Sequence, residues 1–395
     1  MLKAKVGYSI NPDDVMMGYE ACKKSNQDFN NVKLNFLYTS SKNDIKKVLK
    51  GAKEATNAPI IGCTSSGGII VPEGYVSSPD GFVGVMSLND SNMTVGVACH
   101  EGGKDPRAIG RKVAIKAVED AKTTRAPAYF YMVSSPKEEE EYLMGIQDVI
   151  GRVPMFGGSA ADDTVEGNWE IICNDQSFSD GIAVAFFYTD NEIVTTFRSG
   201  YKETNNYGLI TEVKNKRTIV SIDGISSLKK YGHWIDKSPN DLHEKHLLIS
   251  SINKPLGIKD PLGNLTVVRH PIFGNDMHTK TTTDDTITLS NKVVEKTTII
   301  QLEATNDELI NSVGETLKIL KKEIYADPAL YILIHSGGIR LGLGSRVTEV
   351  YKQALKEAGN VPFIIPFTFG EYGYSDHSSN ICGGLMLSFT AFGKN

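Results

Sequence analysis

The sequence predicts an α/β protein in two halves, built from repeated strand-helix-strand modules whose mixed sheets are covered by helices. Two stretches carry this prediction. Asn35 to Gly68 and Phe130 to Asp163 align without a gap, placing Ser40 on Ser135, Lys42 on Lys137, Pro59 on Pro154 and Gly62 on Gly157. Each reads as an apolar strand ending in small polar residues, an amphipathic helix, a proline-led second strand and a loop of tiny residues. Tyr331 to Gly373 is a looser third copy, with extra residues before its helix and Ile365 where the others have glycine. A repeat of this length is a supersecondary module rather than a solenoid unit.

The helices follow from apolar spacing. In the first copy Ile45, Val48, Leu49, Ala52 and Ala55 share one helical face, with Asn43 or Ser41 as N-cap. Tyr142, Leu143, Ile146, Val149 and Ile150 do the same in the second, where Glu138 to Glu141 form a solvated, dipole-compensating start. The third helix runs through Val347, Val350, Tyr351, Ala354 and Leu355, from a cap at Ser345 to a stop at Gly359. Strands such as Tyr331 to Ile334 are apolar on both faces, which suits sheets covered by helices. Asp80 to Val83 and Asp180 to Ala183 form a further matched pair, each opening an apolar strand. Between Asp190 and Ile300 the texture turns to strands, prolines and Thr-rich segments, with a strand, turn and helix from Val220 to Lys237. The halves are accordingly set at 1–215 and 216–395.

Composition excludes several classes. The 395 residues are 40% hydrophobic, enough for ordinary cores, and a net charge of −5 with no Lys/Arg cluster argues against a nucleic-acid partner. Apolar runs such as Ala128 to Val133 are far shorter than a membrane span, and no signal-peptide profile opens the chain, so a cytoplasmic protein without a membrane partner is expected. Cys22, Cys63, Cys99, Cys173 and Cys382 are odd in number and never spaced CxxC, which reads as ordinary buried thiols and not as a disulfide framework or zinc site. His243 and His246 lack further ligands nearby, so no metal is expected.

The loop chemistry points to capture of a small ligand. Gly62, Gly67, Gly68, Gly157 and Gly158 allow close backbone approach, while Thr64, Ser65, Ser66 and Ser159 offer hydroxyls. A nest of N–H groups would hold a carboxylate, with Arg340 as a second carboxylate partner. Asp162 or Asp163 would hold an ammonium, and Glu371 is a second candidate. An enzyme reading takes Cys63 as nucleophile, His335 or His377 as base and Glu371 as orienter, giving a hydrolase or acyltransferase. The glycines around Gly342 and Gly344 make only a weak dinucleotide loop, since Val347 stands where Gly or Ala is wanted.

In series, Gly62 to Gly68, Phe156 to Asp163, Ile222-Asp223-Gly224, Lys254 to Gly257, Phe369-Gly370-Glu371 and His377 to Asn380 resemble the FIST-domain family, with an N-terminal and a C-terminal FIST half covering nearly the whole chain. The family commonly carries Cys, a spacer and Gly-Arg after the third strand, whereas this chain has His335 to Arg340. The resemblance implies a sensory module for a small ligand, an amino acid or related carboxylate, bound at the loops including Cys63 and Gly370 without a cofactor. Its signal would pass to a separate partner such as a histidine kinase. Other members bind haem and report nitric oxide to a histidine kinase, so a haem-binding sensor is the alternative, with His100, His270, His335 and His377 as axial candidates.

Overall fold

In the computed structural model each repeat extends beyond its sequence signature, gaining a strand and helix before it and three strands after it. The structure describes residues 1–243, 246–260, 262–274, 285–374 and 379–394. The first module comprises β1 (Lys3–Ser9), α1 (Asp14–Asn26), β2 (Val32–Thr39), α2 (Ile45–Ala55), β3 (Ile60–Thr64), the hairpin β4 (Ile69–Val71) and β5 (Gly74–Val76), and β6 (Val83–Asn89). The second repeats that order as β7 (Thr94–Glu101), α3 (Pro106–Ala121), β8 (Tyr129–Ser134), α4 (Glu139–Ile150), β9 (Met155–Ser159), the hairpin β10 (Ile171–Cys173) and β11 (Gln176–Phe178), and β12 (Gly181–Tyr188).

The third module begins with β13 (Ile193–Arg198) and is interrupted by a β-rich insertion. That insertion holds β14 (Lys202–Lys214), β15 (Thr218–Ile222), β16 (Ile225–Ser226), α5 (Ser227–Ile235), α6 (His246–Ser251), β17 (Leu256–Lys259), β18 (Thr266–Arg269), β19 (Pro271–Gly274), β20 (Ile287–Leu289) and β21 (Thr298–Glu303). The module resumes with α7 (Asn306–Glu323), β22 (Pro328–Ser336), α8 (Gly337–Leu343), α9 (Val347–Ala358), β23 (Phe363–Thr368), the hairpin β24 (Glu371–Tyr374) and β25 (Asn380–Gly383), and β26 (Leu387–Gly393).

Each module contributes four strands to its own sheet and lends its hairpin to another. The three sheets run β1-β6-β2-β3-β10-β11, β7-β12-β8-β9-β24-β25 and β13-β26-β22-β23-β4-β5. Thus the second module's hairpin completes the first sheet, the third module's completes the second, and the first module's completes the third. Among the described residues the parallel pairs are β2–β3, β8–β9 and β22–β23, each formed by neighbouring strands joined through a helical crossover. The insertion forms a fourth sheet, β18-β17-β21-β14-β15-β20-β19, with β16 beside β15.

Strand alternation explains the layers. Leu34, Phe36 and Tyr38 of β2, Tyr129, Tyr131 and Val133 of β8, and Leu330, Ile332 and Ile334 of β22 enter one central core shared by all three sheets. The residues between them face outward; Leu37, Phe130 and Leu333 pack into three separate outer cores. The pairs α1–α2, α3–α4 and α7–α9 cover these outer faces. Rings from different modules meet at the centre: Phe36 and Tyr131 lie edge-on at 5.0 Å, Phe156 and Phe392 at 5.9 Å, and the Tyr38 and Tyr131 hydroxyls are 3.2 Å apart.

Local details adjust the sequence expectations. The cap of α2 is Asp44, whose carboxylate accepts the Lys47 N–H, while the Asn43 side-chain amide instead donates to Asp14 at 2.7 Å. Helix α9 starts at Val347 without a side-chain cap from Arg346, because a short 3₁₀ turn, Gly344–Arg346, leads into it. Its expected stop holds: Gly359 follows with φ +60°. Gly62 and Gly157 lie within strands, not in loops. A Cβ on either would sit 1.8 Å from the carbonyl oxygen of Leu37 or Met132 on the parallel neighbour, so close strand approach demands glycine there.

The acidic start of α4 is not solvated. Arg217, from the turn between β14 and β15, forms ion pairs with Glu139 at 3.3 Å and Glu140 at 3.1 Å and donates to the Lys137 carbonyl. Lys292 bonds Glu138 at 2.8 Å and Glu141 at 3.1 Å, and Lys216 reaches Glu141 at 3.0 Å. The run docks the insertion onto the second module. Glu139 is buried, and desolvation pushes its carboxyl up to about 7, with Arg217 opposing and Glu140 adding to the rise.

Two outcomes follow. Gly62→Ala is expected to lower unfolding stability by roughly 2 kcal/mol or more in denaturant titrations, whereas Gly224→Ala, at φ +73° with open space around it, loses about 1 kcal/mol. Because Glu139 titrates higher when folded than its unfolded value near 4.3, its stabilising proton is lost as pH rises through about 7. The stability of Glu139→Gln relative to the parent is therefore expected to increase between pH 5 and pH 8, and a pH-independent difference would count against the dock.

Candidate functional site

The C-terminal ends of the parallel strand pairs meet where the three modules touch. Ser66 N–H donates to the Phe367 carbonyl at 3.0 Å, Phe369 N–H to Ser159 at 3.2 Å, and Ala161 N–H to Thr64 at 3.0 Å. The registers of β2–β3, β8–β9 and β22–β23 make Thr64, Ser159 and Phe367 equivalent, so these bonds form a closed ring, one per module. The loop amides expected to cradle a guest are engaged here instead: Ser65 N–H bonds Thr39 and Ser159 N–H bonds Gly370.

The hydroxyls of Thr64, Ser65 and Ser159 are engaged as well. Ser65 donates to the Gly68 carbonyl at 2.7 Å and accepts the Phe367 N–H at 2.8 Å. Thr64 accepts the Glu170 N–H at 3.0 Å, and the Tyr372 hydroxyl sits between Ser134 at 2.7 Å and Ser159 at 2.6 Å. Thr64, Ser65, Ser66 and Ser159 are all buried. Gly158 is a strand residue whose missing side chain admits the third module; a Cβ there would lie 2.7 Å from the Gly370 carbonyl oxygen.

The acids divide by environment. Asp162 is enclosed and its carboxylate accepts the backbone N–H groups of Thr164, Val165, Glu166, Gly167 and Asn168, holding the whole loop around itself. That commitment leaves it no open face for an ammonium. Glu371 is fully buried and accepts Met386 N–H at 2.8 Å and the Thr368 hydroxyl at 3.2 Å. Desolvation pushes its carboxyl well above the usual range, which favours the neutral acid over an ammonium partner. Asp163, by contrast, is partly exposed: it accepts the Gly67 N–H at 2.6 Å and faces Lys42 Nζ at 3.7 Å. Asp163, Lys42 and Trp169 line a cleft of about 480 Å³ at the junction of the first two modules.

Arg340 of α8 approaches the same loop from the third module. A Cβ on Gly67 would lie 2.1 Å from its Cζ, so the guanidinium rests on the glycine, whose φ of +68° also demands glycine. Arg340 Nη2 donates to the Tyr75 hydroxyl at 3.2 Å, and Tyr75 donates to the Gly67 carbonyl at 2.6 Å. Among the described residues Arg340 has no carboxylate within ion-pair distance, and its buried Nε has no partner. Gly67 therefore stands between an anion from the second module and a cation from the third. Tyr75 and Lys42 were not singled out as site residues by sequence; Lys42 appeared only as a repeated position matching Lys137.

Among the described residues, the enzyme reading with His335 as base does not assemble. Cys63 belongs to the central core, where burial alone pushes its thiol up and disfavours the thiolate that a nucleophile requires. His335 follows the inward-facing Ile334 and so faces the other side of its sheet, edge-on to Phe367 at 5.3 Å. Nor does His335 fit haem ligation: its ring is fully enclosed, Nδ1 faces the Ser336 carbonyl at 3.1 Å, and burial lowers its pKa to about 4. His270 is likewise buried, with Nε2 on the Leu248 carbonyl at 3.2 Å and its pKa lowered to about 4. His100 is half-buried on β7, with Nδ1 on the Glu101 carbonyl. His377 lies outside the described residues.

No helix among the described residues is long and apolar enough to cross a membrane. The FIST N domain model matches residues 33–225 and the FIST C domain model matches 227–374. No curated protein matches the chain. Among solved structures, a cyanuric acid hydrolase from A. caulinodans is similar at 9% identity and a TM-score of 0.35, over 100% of both chains. A second cyanuric acid hydrolase, described as an innovation by structural concatenation, shares 9% identity at a TM-score of 0.29, over 67% of this chain and 84% of that one. A phosphoribosylformylglycinamidine synthase II from Thermotoga maritima shares 10% identity at a TM-score of 0.23, over 99% of this chain and 72% of that one. The two matched models together span most of the sequence, and the chain belongs to the FIST family, whose domains are small-ligand sensory domains of signalling proteins.

Proposed function

We propose that this FIST protein binds an amino acid or a related small carboxylate around Gly67 and signals through a separate protein, such as a histidine kinase. The observation that carries this reading is Arg340, which has no carboxylate within ion-pair distance among the described residues, set across Gly67 from the partly exposed Asp163. A ligand carboxylate suits the planar fork of Arg340, which is built for bidentate pairing. The ligand ammonium would take Asp163, replacing its long contact with Lys42 at 3.7 Å. An exposed pair of that length contributes little, so the exchange costs the protein about 1 kcal/mol at most.

The site draws on all three modules, and this gives binding a mechanical consequence. Gly67 and Lys42 come from the first, Asp163 from the second and Arg340 from the third. A bound zwitterion would favour the arrangement in which all three are close, and its differential affinity for that state would set the signal. Of the axial haem candidates, His335 and His270 are enclosed and so give that alternative no support.

The test is a thermal-shift screen of the twenty amino acids and small dicarboxylates, with hits measured by calorimetry. Arg340→Gln is expected to weaken every hit at least tenfold, about 1.4 kcal/mol. Asp163→Asn is expected to weaken amino acids and spare ligands without an ammonium. Hits insensitive to both substitutions would overturn the assignment.

A further inference from the structure

We propose that Cys99 and Cys173 form a peroxide-responsive dithiol, with Cys99 as the attacking thiol and Cys173 as the resolving one. Cys99 lies on β7, the edge strand of the second sheet, and Cys173 ends β10, the strand lent to the first sheet. Strands β7 and β10 pack against each other, and the Cys99 side chain packs on the central core that holds Cys173. One hydrogen bond brings the two together locally: the Cys99 thiol lies 3.7 Å from Gln176 Oε1, and Gln176 is the residue paired with Cys173 across the β10–β11 hairpin.

The two thiols differ in the way the chemistry requires. Cys99 is partly exposed, while Cys173 is buried in the central core. The neighbouring Cys173 thiol, helped by Lys116, lowers the Cys99 thiol against the opposing effects of burial and Asp175, whereas Cys99 and burial both raise Cys173. Thiolate character and access together determine which cysteine a peroxide finds first. The other three are disfavoured on both counts: Cys22, Cys63 and Cys382 are buried, and desolvation pushes each thiol up, Cys22 to about 12.

The reaction balances with a hydroperoxide as oxidant. The Cys99 thiolate attacks the peroxide, an S–O bond forms as the O–O bond breaks, and the alcohol or water leaves with a proton. Cys173 then attacks the sulfenic sulfur, an S–S bond forms, and hydroxide departs as water with the Cys173 proton. The product covalently joins two sheets at the strand that directly follows the cleft-lining loop from Asp163 to Glu170. Oxidation would thereby tether one wall of that cleft.

The test treats the folded full chain with hydrogen peroxide, denatures it, counts free thiols and maps peptides without reductant. The expected result is three free thiols out of five and a Cys99–Cys173 linked peptide. Cys99→Ser is expected to keep all four of its thiols under the same treatment. Cys173→Ala is expected to leave a Cys99 sulfenic acid that dimedone traps. In the untreated protein iodoacetamide should label Cys99 first, on the order of tenfold faster than any other cysteine. Five surviving thiols, or oxidation of Cys99 without the linked peptide, would overturn the proposal.

Discussion

Exchange of hairpins among the three modules is the constraint from which the other features of the molecule follow. Each sheet ends in strands supplied by a different module: β10–β11 complete the first, β24–β25 the second and β4–β5 the third. Because each hairpin directly follows its module's second parallel strand, the exchange draws three strand ends to one place. The ring from Ser66 to Phe367, Phe369 to Ser159 and Ala161 to Thr64 closes that place with backbone hydrogen bonds. A single central core then becomes possible, since no module has a complete sheet of its own to bury.

The same constraint explains the character of the site. Small side chains at the strand ends serve close packing between modules, and their polar groups satisfy one another in the interior. Charge is excluded from the ring and appears at its margin, where the hairpin loop at Gly67 brings Arg340 and Asp163 to the two sides of one glycine. A ligand held there, as proposed, would contact three modules at once, and the joint between modules is what it could alter. The insertion adds a separate electrostatic joint, in which Arg217 and Lys292 meet the acidic start of α4.

The module was legible from sequence because it is local. Pro59 and Pro154, the apolar helix faces and the Asp-Gly strand starts all report on contacts within some tens of residues. Even the looser third copy declared itself through Tyr331 to Ile334 and Gly359. The exchange was not legible, because Ile69 pairing with Pro366 or Glu371 with Gly158 depends on which sheet edge is free in space. Adjacent Asp162 and Asp163 show the limit most directly. They are chemically identical, yet one is enclosed by five backbone N–H groups and the other faces a cleft. The acidic run at Glu138 to Glu141 read as solvated because its cationic partners come from the insertion, some 75 residues or more away in sequence.

Amide hydrogen exchange of the native protein, resolved to the three hairpins, tests the exchange most directly. If the hairpins are integral to the sheets that receive them, the amides of β4, β10 and β24 that bond β23, β3 and β9 will exchange only through global unfolding, with protection matching β22 and β26. Hairpins that open locally, orders of magnitude faster than β22, would contradict the account, because the modules would then be separable units joined at their surfaces.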